Sequence, residues 1–354
     1  MPLPDHLRAL LTAAGPSGYE AAPAAAFAAA AKAFTDDVSI DVMGSATARV
    51  PGTVEGAPRL IIVGHIDEIG LIVTHIDEKG FLFVAGVGGW DPQILVGQRV
   101  DVMTDDGVIP GVLGKKPIHL LKPDDRKNVA ELKDLHIDIG AKDGDEAKGK
   151  VRIGDVAVIT GEPVELLGDR VISRSMDNRL GAFIALEAAR IVSEAGGAAG
   201  DVIAVGGVQE EITFAGARTS AFSLDPDVAI VVDVTHATDA PGIDVKEIGE
   251  HPFGSGAVIE RGSTLHPAVT AGLIETAERD ELPYTLAATA RATGTDADAV
   301  HLSRAGVATG VVSIPLRYMH SPVEMVQLDD IETCAKLVAA FALSLTAETS
   351  FVRG

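Results

Sequence analysis

Imidazoles and carboxylates stand at the ends of four apolar runs in this chain, and those are the side chains that hold metal ions and move protons. LIIVGHID ends in His65 and Asp67, VIAVGGVQEE in Glu210 and Glu211, VAIVVDVTH carries Asp233, and VVSIPLRYMH ends in His320. Runs this apolar read as buried parallel strands, and open α/β sheets bind ligands in the crevice beyond the carboxyl ends of their strands. Repeated placement of such side chains there points to a single site.

Each residue also has a plainer explanation. His65 and Asp67 are two apart, so in a strand they share a face and the carboxylate can orient the imidazole. An isolated H-x-D is a weak signal, and the second copy, His75 and Asp77, shows how readily it arises. Followed by the turn residues Glu78, Lys79 and Gly80, that copy reads as the edge of a hairpin. Asp177, in SRSMDNRLG, directly precedes an apolar-periodic helix, where an N-cap accounts for it. Free N–H groups at a helix start could equally orient a carboxylate that bridges two cations. Glu210 and Glu211 are neighbours, so they can serve one centre only where the strand turns into a loop; one would then ligate while the other acts as general base. Asp233 closes the next strand in the same style, and a core histidine explains His320 as well as a ligand does. Taken together, two imidazoles, three carboxylates and a bridging water make a shell for two divalent ions.

The elements that must position these groups follow from periodicity. Strands are expected near 45–50 and 59–63, around Ile203 and around Ile230. Helices are expected over the Ala-rich stretch 21–34, preceded by Ser17 and Glu20 in capping-box style, and over DNRLGAFIALEAARIVSEAGG, 266–280, 295–304 and 328–345. From about 69 to 164 the texture changes to short Val, Ile and Leu runs between Gly and Asp turns, with only 124–135 hinting at a helix. The expected fold class is α/β, a mixed and mostly parallel sheet sandwiched by helices. The catalytic domain would run from 1 to 68 and from 165 to 354, with a small β-barrel-like domain inserted over 69–164.

Composition narrows the partners. With 354 residues, 29 basic against 51 acidic and a net charge of −22, the chain lacks the basic face that nucleic acid or an anionic membrane would need. Cys334 is the single cysteine, so no intrachain disulfide forms, and its helical surroundings suggest a buried, inert thiol. No secretory leader is read, and the Ala-rich stretch is too short and too weakly apolar to span a membrane, so a cytoplasmic location is the expectation.

Several segments carry a resemblance: GHIDEIG, GGWDPQ, GQRV, KPIHLLKP, HIDIGAKDGDEA, SRSMDNRLGAF, VQEE, VVDVTH and GTDADAVHLSRAGVATGVVSIPLRYMHSPVEM. Together they resemble the tetrahedral, or glutamyl, aminopeptidase family of co-catalytic di-zinc metallopeptidases. The resemblance implies that His65, Asp177, Glu211, Asp233 and His320 ligate two metal ions, with Asp177 bridging. It makes Glu210 the general base and Asp67 the residue that orients His65. Zinc is the first choice of metal, with cobalt or manganese as alternatives. It further implies short peptide substrates and a homo-oligomer, in which the inserted domain pairs subunits into dimers that can build a tetrahedral dodecamer. Two segments depart from the family pattern, ITFAGA after VQEE and GSGAVIERGS, and both bear on side-chain specificity. The rival functions are a metal-independent glycosidase using Glu210 and Glu211 as paired acids, and a non-catalytic assembly protein on the same fold.

Overall fold

The computed structural model describes residues 2–353. The helices Asp5–Thr12 and Ala21–Ala31 come before β1 (Val38–Ile40), β2 (Ala46–Val50) and β3 (Leu60–His65). Six strands follow: β4 (Gly70–Ile76), β5 (Leu82–Val87), β6 (Arg99–Thr104), β7 (Gly107–Gly114), β8 (His136–Asp138) and β9 (Val156–Ile159). Then come β10 (Val164–Leu166), β11 (Arg170–Ser173), β12 (Val202–Gly207), β13 (Val228–His236), β14 (Ala257–Gly262), β15 (Tyr284–Thr289), β16 (Ala308–Leu316) and β17 (Glu324–Gln327). The main sheet has the order β1-β2-β12-β3-β13-β16-β14-β15, and its four middle strands, β12, β3, β13 and β16, are parallel.

Those four strands are the apolar runs. Every residue of β3, β12 and β16 is buried, as are the first seven of β13. A strand covered on both faces has no solvated side, which is why these segments read as unbroken Val, Ile and Leu. Helices Met176–Glu194, Pro267–Arg279 and Leu328–Ser344 pack one face against Ile62, Ile230, Val232 and Val312. Ala215–Leu224 and Ala297–Val300 cover the other face over Ile61, Val63, Val231 and Val311.

Strands β4–β9 close into a barrel of order β4-β5-β8-β7-β6-β9, filled by Leu71, Val73, Leu82, Val100, Val102, Leu113 and Ile137. Closure leaves this small sheet without a free edge. A three-stranded sheet, β10-β11-β17, follows on the return to the main sheet.

Three expected helices come out differently. Segment 124–135 forms only the 3-10 turns Asp125–Lys127 and Leu132–Asp134, because Val129 faces solvent and too few side chains reach the barrel core to hold a longer helix. Segment 295–304 keeps a single turn, Ala297–Val300, and Arg304 at φ 50° reverses the chain. The Ala-rich helix is Ala21–Ala31 with no side-chain cap, since Ser17 is engaged elsewhere.

β3 meets helix Met176–Glu194 through two glycines. A Cβ on Gly64 would fall 2.2 Å from the Gly181 carbonyl carbon, and one on Gly181 would fall 2.4 Å from the Val232 oxygen. This close approach carries the start of the helix to the end of β3. Gly64→Ala or Gly181→Ala is therefore expected to destabilise the protein by about 1–3 kcal/mol. Urea unfolding measures it, and an unchanged midpoint would mean that the contact relaxes freely.

Candidate metal centre

In the order β12-β3-β13, parallel strands end side by side, so their last residues share one crevice. His65 is the last residue of β3 and pairs in register with Gly207, where β12 ends three residues before Glu210. Asp233 lies within β13, two beyond Val231, which is paired with Val63. His320 follows β16, and Asp177 lies at the start of the long helix.

The structure brings all six together. His65 Nε2 lies 3.2 Å from Asp177 Oδ1 and 3.6 Å from Glu210 Oε2. His320 Nε2 lies 3.4 Å from Asp177 Oδ2 and 3.4 Å from Glu211 Oε1. Each oxygen of Asp177 thus faces a different imidazole. Two groups of three could hold a metal ion, His65–Glu210–Asp233 and His65–Asp177–Glu211, with ligand atoms within 4.8 Å of one another in each.

Asp67 is fully buried beneath them. Its Oδ1 is 3.3 Å from His65 Nδ1, and its carboxylate accepts bonds from Ser17 Oγ at 2.6 Å and from the N–H groups of Glu210 at 3.0 Å and Glu211 at 3.1 Å. One buried anion therefore aims the imidazole and clamps the turn bearing both glutamates. That turn lets two neighbours share a centre: Gln209 at φ 59° bends the chain out of β12, and Glu210–Thr213 is a single helical turn. Successive side chains there diverge by about 100° rather than pointing to opposite faces.

Asp177 is not the helix cap. Its φ/ψ of −77°/105° is non-helical, and the residue that caps is Asn178, whose Oδ1 accepts the Gly181 N–H at 2.9 Å. Asp177 is left free to face the imidazoles. Glu324, buried, accepts the N–H of Asp177 at 3.1 Å and that of His320 at 2.8 Å. His320 Nδ1 pairs with the Gly89 carbonyl at 2.7 Å, which turns Nε2 inward. Gly89 belongs to the loop after β5, where the Trp90 indole donates to Gly70 O at 2.8 Å. Ser175, Gln209, Phe214, Tyr318 and His320 all have left-handed backbones. Such conformations cost about 1–3 kcal/mol each and persist only where the surroundings impose them.

Crowded acids decide the electrostatics. Burial pushes the Glu210 carboxyl up to about 10, with Asp233, Asp296 and Glu211 adding to it against the pull of His65. Burial likewise raises Asp233 and Glu211. Hydrogen bonds to Asp177 and Glu211 push His320 up to about 11. Burial opposes protonation of His65, yet Glu210, Asp67 and Asp177 outweigh it and raise it well above the ordinary range. Burial also works to raise Asp177, but His320 and His65 hold it below the usual carboxylate value. Without added cations the cluster keeps protons that ordinary carboxyl groups would release.

Ser17, Asn178, Glu324 and Asp296 escaped the sequence reading. Asp296 is 1% exposed, its carboxyl raised to about 7 by burial and by Asp67 against the pull of His65. Their types carry no signal for support; only SRSMDNRLGAF, GTDADAV and HSPVEM, as family segments, enclosed three of them. His75 and Asp77 lie in the β4–β5 hairpin, where Asp77 accepts the N–H groups of Lys79 and Phe81. Cys334 is buried and free, and burial pushes its thiol upward, away from a reactive thiolate. No helix among the described residues is long and apolar enough to cross a membrane.

Five of the six, Asp177, Glu210, Glu211, Asp233 and His320, line a cavity of about 440 Å³ with Phe214, Glu260 and Met319, while His65 is buried beside it. Comparison with known proteins identifies the family. The family described as M42 glutamyl aminopeptidase matches residues 44–337. The lysyl aminopeptidase of Pyrococcus furiosus is 35% identical over 311 residues, 87% of each chain. A TET aminopeptidase from a marine sediment Thaumarchaeota archaeon has a TM-score of 0.91 at 34% identity, covering 97% of this chain and 96% of its own. The TET1 peptidase of Pyrococcus horikoshii, which can assemble into a tetrahedron or a large octahedral shell, gives 0.84 at 31% identity, covering 96% and 99%. The chain belongs to the M42 glutamyl aminopeptidase family, and it is an aminopeptidase by that membership.

Proposed function

We propose that this aminopeptidase works with two divalent metal ions, removing residues from the N-termini of short peptides. The observation that carries this reading is Asp177, whose two oxygens face His65 and His320 separately. Asp177 would bridge the pair of ions, with His65 and Asp233 on one side and Glu211 and His320 on the other. The donors fit divalent cations: imidazole nitrogens and carboxylate oxygens are a mixture zinc accepts, and cobalt or manganese could take the same set. Three ligand carboxylates would offset most of the added charge in a cluster that otherwise retains protons. When bound, the ions supply Lewis acidity that polarises the first carbonyl and lowers the pKa of the attacking water.

The chain's own groups do the rest. Glu210 takes a proton from that water and passes it to the leaving amine. Asp67 holds His65 in orientation, and Glu324 holds the backbones of Asp177 and His320. The resemblance makes Glu211 the ligand and Glu210 the base, and the Glu211 carboxylate, 3.4 Å from His320 Nε2, is placed for that role.

The inserted segment 69–164 is read as a dimerisation domain within a catalytic domain of 1–68 and 165–354. Exposed Val108, Val112, Ile118, Leu120 and Val129 support that role, since apolar side chains gathered on one unit favour association. Dimers of this kind could build a tetrahedral dodecamer like those of related peptidases, in the cytoplasm.

Glu210→Gln is expected to lower aminoacyl p-nitroanilide turnover by about 100- to 10,000-fold while bound metal, measured by atomic emission, stays at the wild-type level. Glu211→Gln is expected to lose metal; a reversed pattern would exchange the two roles. Because Glu210 and His320 hold protons to about 10 and 11, cation binding at neutral pH must expel them. Affinity for zinc or cobalt therefore rises with pH between 6 and 9, and calorimetry in buffers of different ionisation enthalpy should detect proton release. Chelation should abolish peptide hydrolysis, an outcome a metal-independent glycosidase would not share. Glu324→Ala strands two buried N–H groups and is expected to weaken metal affinity by about 10- to 100-fold, read by competition with a chromogenic chelator.

A further inference from the structure

One acidic side chain in the cavity has no part in the chemistry above. Glu260 lies on β14, and the strand registers place it on the same sheet face as the metal centre. Asp233 pairs with Ser313, Ser313 pairs with Val258, and Glu260 is two residues further on. Its carboxylate is held by two hydroxyls, Ser313 Oγ to Oε1 at 3.0 Å and Thr289 Oγ1 to Oε2 at 3.0 Å. Residue exposure is only 9%, yet the side chain contributes to the cavity wall. No lysine or arginine lines that cavity, and its apolar lining includes Phe214, Val234 and Met319. Burial raises the Glu260 carboxyl against the pull of the Ser313 and Thr289 hydroxyls, and the charge of Asp298 adds to the rise.

A buried carboxylate in the wall of a partly apolar pocket suits a long aliphatic stem that ends in a positive charge. Three of the four other acids lining the cavity are committed as metal ligands in the reading above, with Glu210 as the base, which leaves Glu260 facing bound substrate. Phe214 and Glu260 also lie in the two segments, ITFAGA and GSGAVIERGS, that bear on side-chain specificity.

We propose that Glu260 is a specificity determinant that selects peptides beginning with lysine or arginine. The proposal rests on the di-metal aminopeptidase reading. Its test uses metal-loaded full-length protein and five p-nitroanilides: lysyl, arginyl, leucyl, glutamyl and norleucyl, the last having the lysine stem without the charge. In wild type the lysyl-to-norleucyl ratio of kcat/KM should exceed about 10, with most of the difference in KM. Glu260→Gln should bring that ratio down at least about tenfold, and Glu260→Asp should restore part of it. Loss of structural support alone would depress both substrates together and leave the ratio in place. Should Glu260→Gln fail to fold, Thr289→Val, which strips one hydroxyl from the carboxylate, should lower the same ratio. A wild-type ratio at or below one, or a ratio unmoved by these substitutions, overturns the proposal while leucyl turnover leaves the aminopeptidase reading standing. Hydrolysis of none of the five substrates would bring down both.

Discussion

Five carboxylates, Asp67, Asp177, Glu210, Glu211 and Asp233, cannot share one largely buried space unless positive charge stands among them. Like charges at these separations repel strongly wherever water is excluded. Two imidazoles supply part of the compensation, and retained protons supply the remainder when no cation is added. Every nearby peculiarity of the chain serves to hold this unfavourable assembly in place. Asp67 ties β3 to the glutamate turn, Glu324 ties the helix start to the His320 loop, and left-handed residues stand at the bends. The folded scaffold bears that cost so that the donors are in position before anything binds.

A division between rigid and strained parts runs through the site. His65 and Asp233 sit on buried strands whose positions are set by sheet pairing and core packing on both faces. Glu210, Glu211 and His320 sit on turns, where a backbone bend can aim a side chain that no strand geometry would direct inward. Strands supply precision of position, and turns supply freedom of direction.

Much of this was legible in the residues. Continuous apolar runs mark the parallel strands because burial on both faces leaves no alternation, and the acids at their ends stand out against that background. The small barrel was visible as a change in texture. What stayed hidden depends on contacts between distant segments. Ser17 looked like part of a helix-starting signal, but its hydroxyl belongs to Asp67, fifty residues away. Asp177 looked like a cap, whereas its neighbour Asn178 takes that bond and leaves Asp177 for the crevice. Glu324 and Asp296 lie inside segments that carry the family resemblance, but only the fold shows that they are buried at the site. The expected helices at 124–135 and 295–304 shrank to single turns because tertiary anchoring, rather than local propensity, sets helix length.

The bond between His320 Nδ1 and the Gly89 carbonyl crosses from one architectural unit to the other. Gly89 lies in the barrel segment, in a loop moored at the barrel's root by the Trp90 indole. The imidazole's inward nitrogen is therefore chosen by a backbone oxygen that the catalytic sheet does not own. A chain trimmed of the barrel would lose the acceptor that dictates which tautomer His320 presents. Chemistry and architecture here are a joint inheritance, and neither half of the chain is a self-sufficient module.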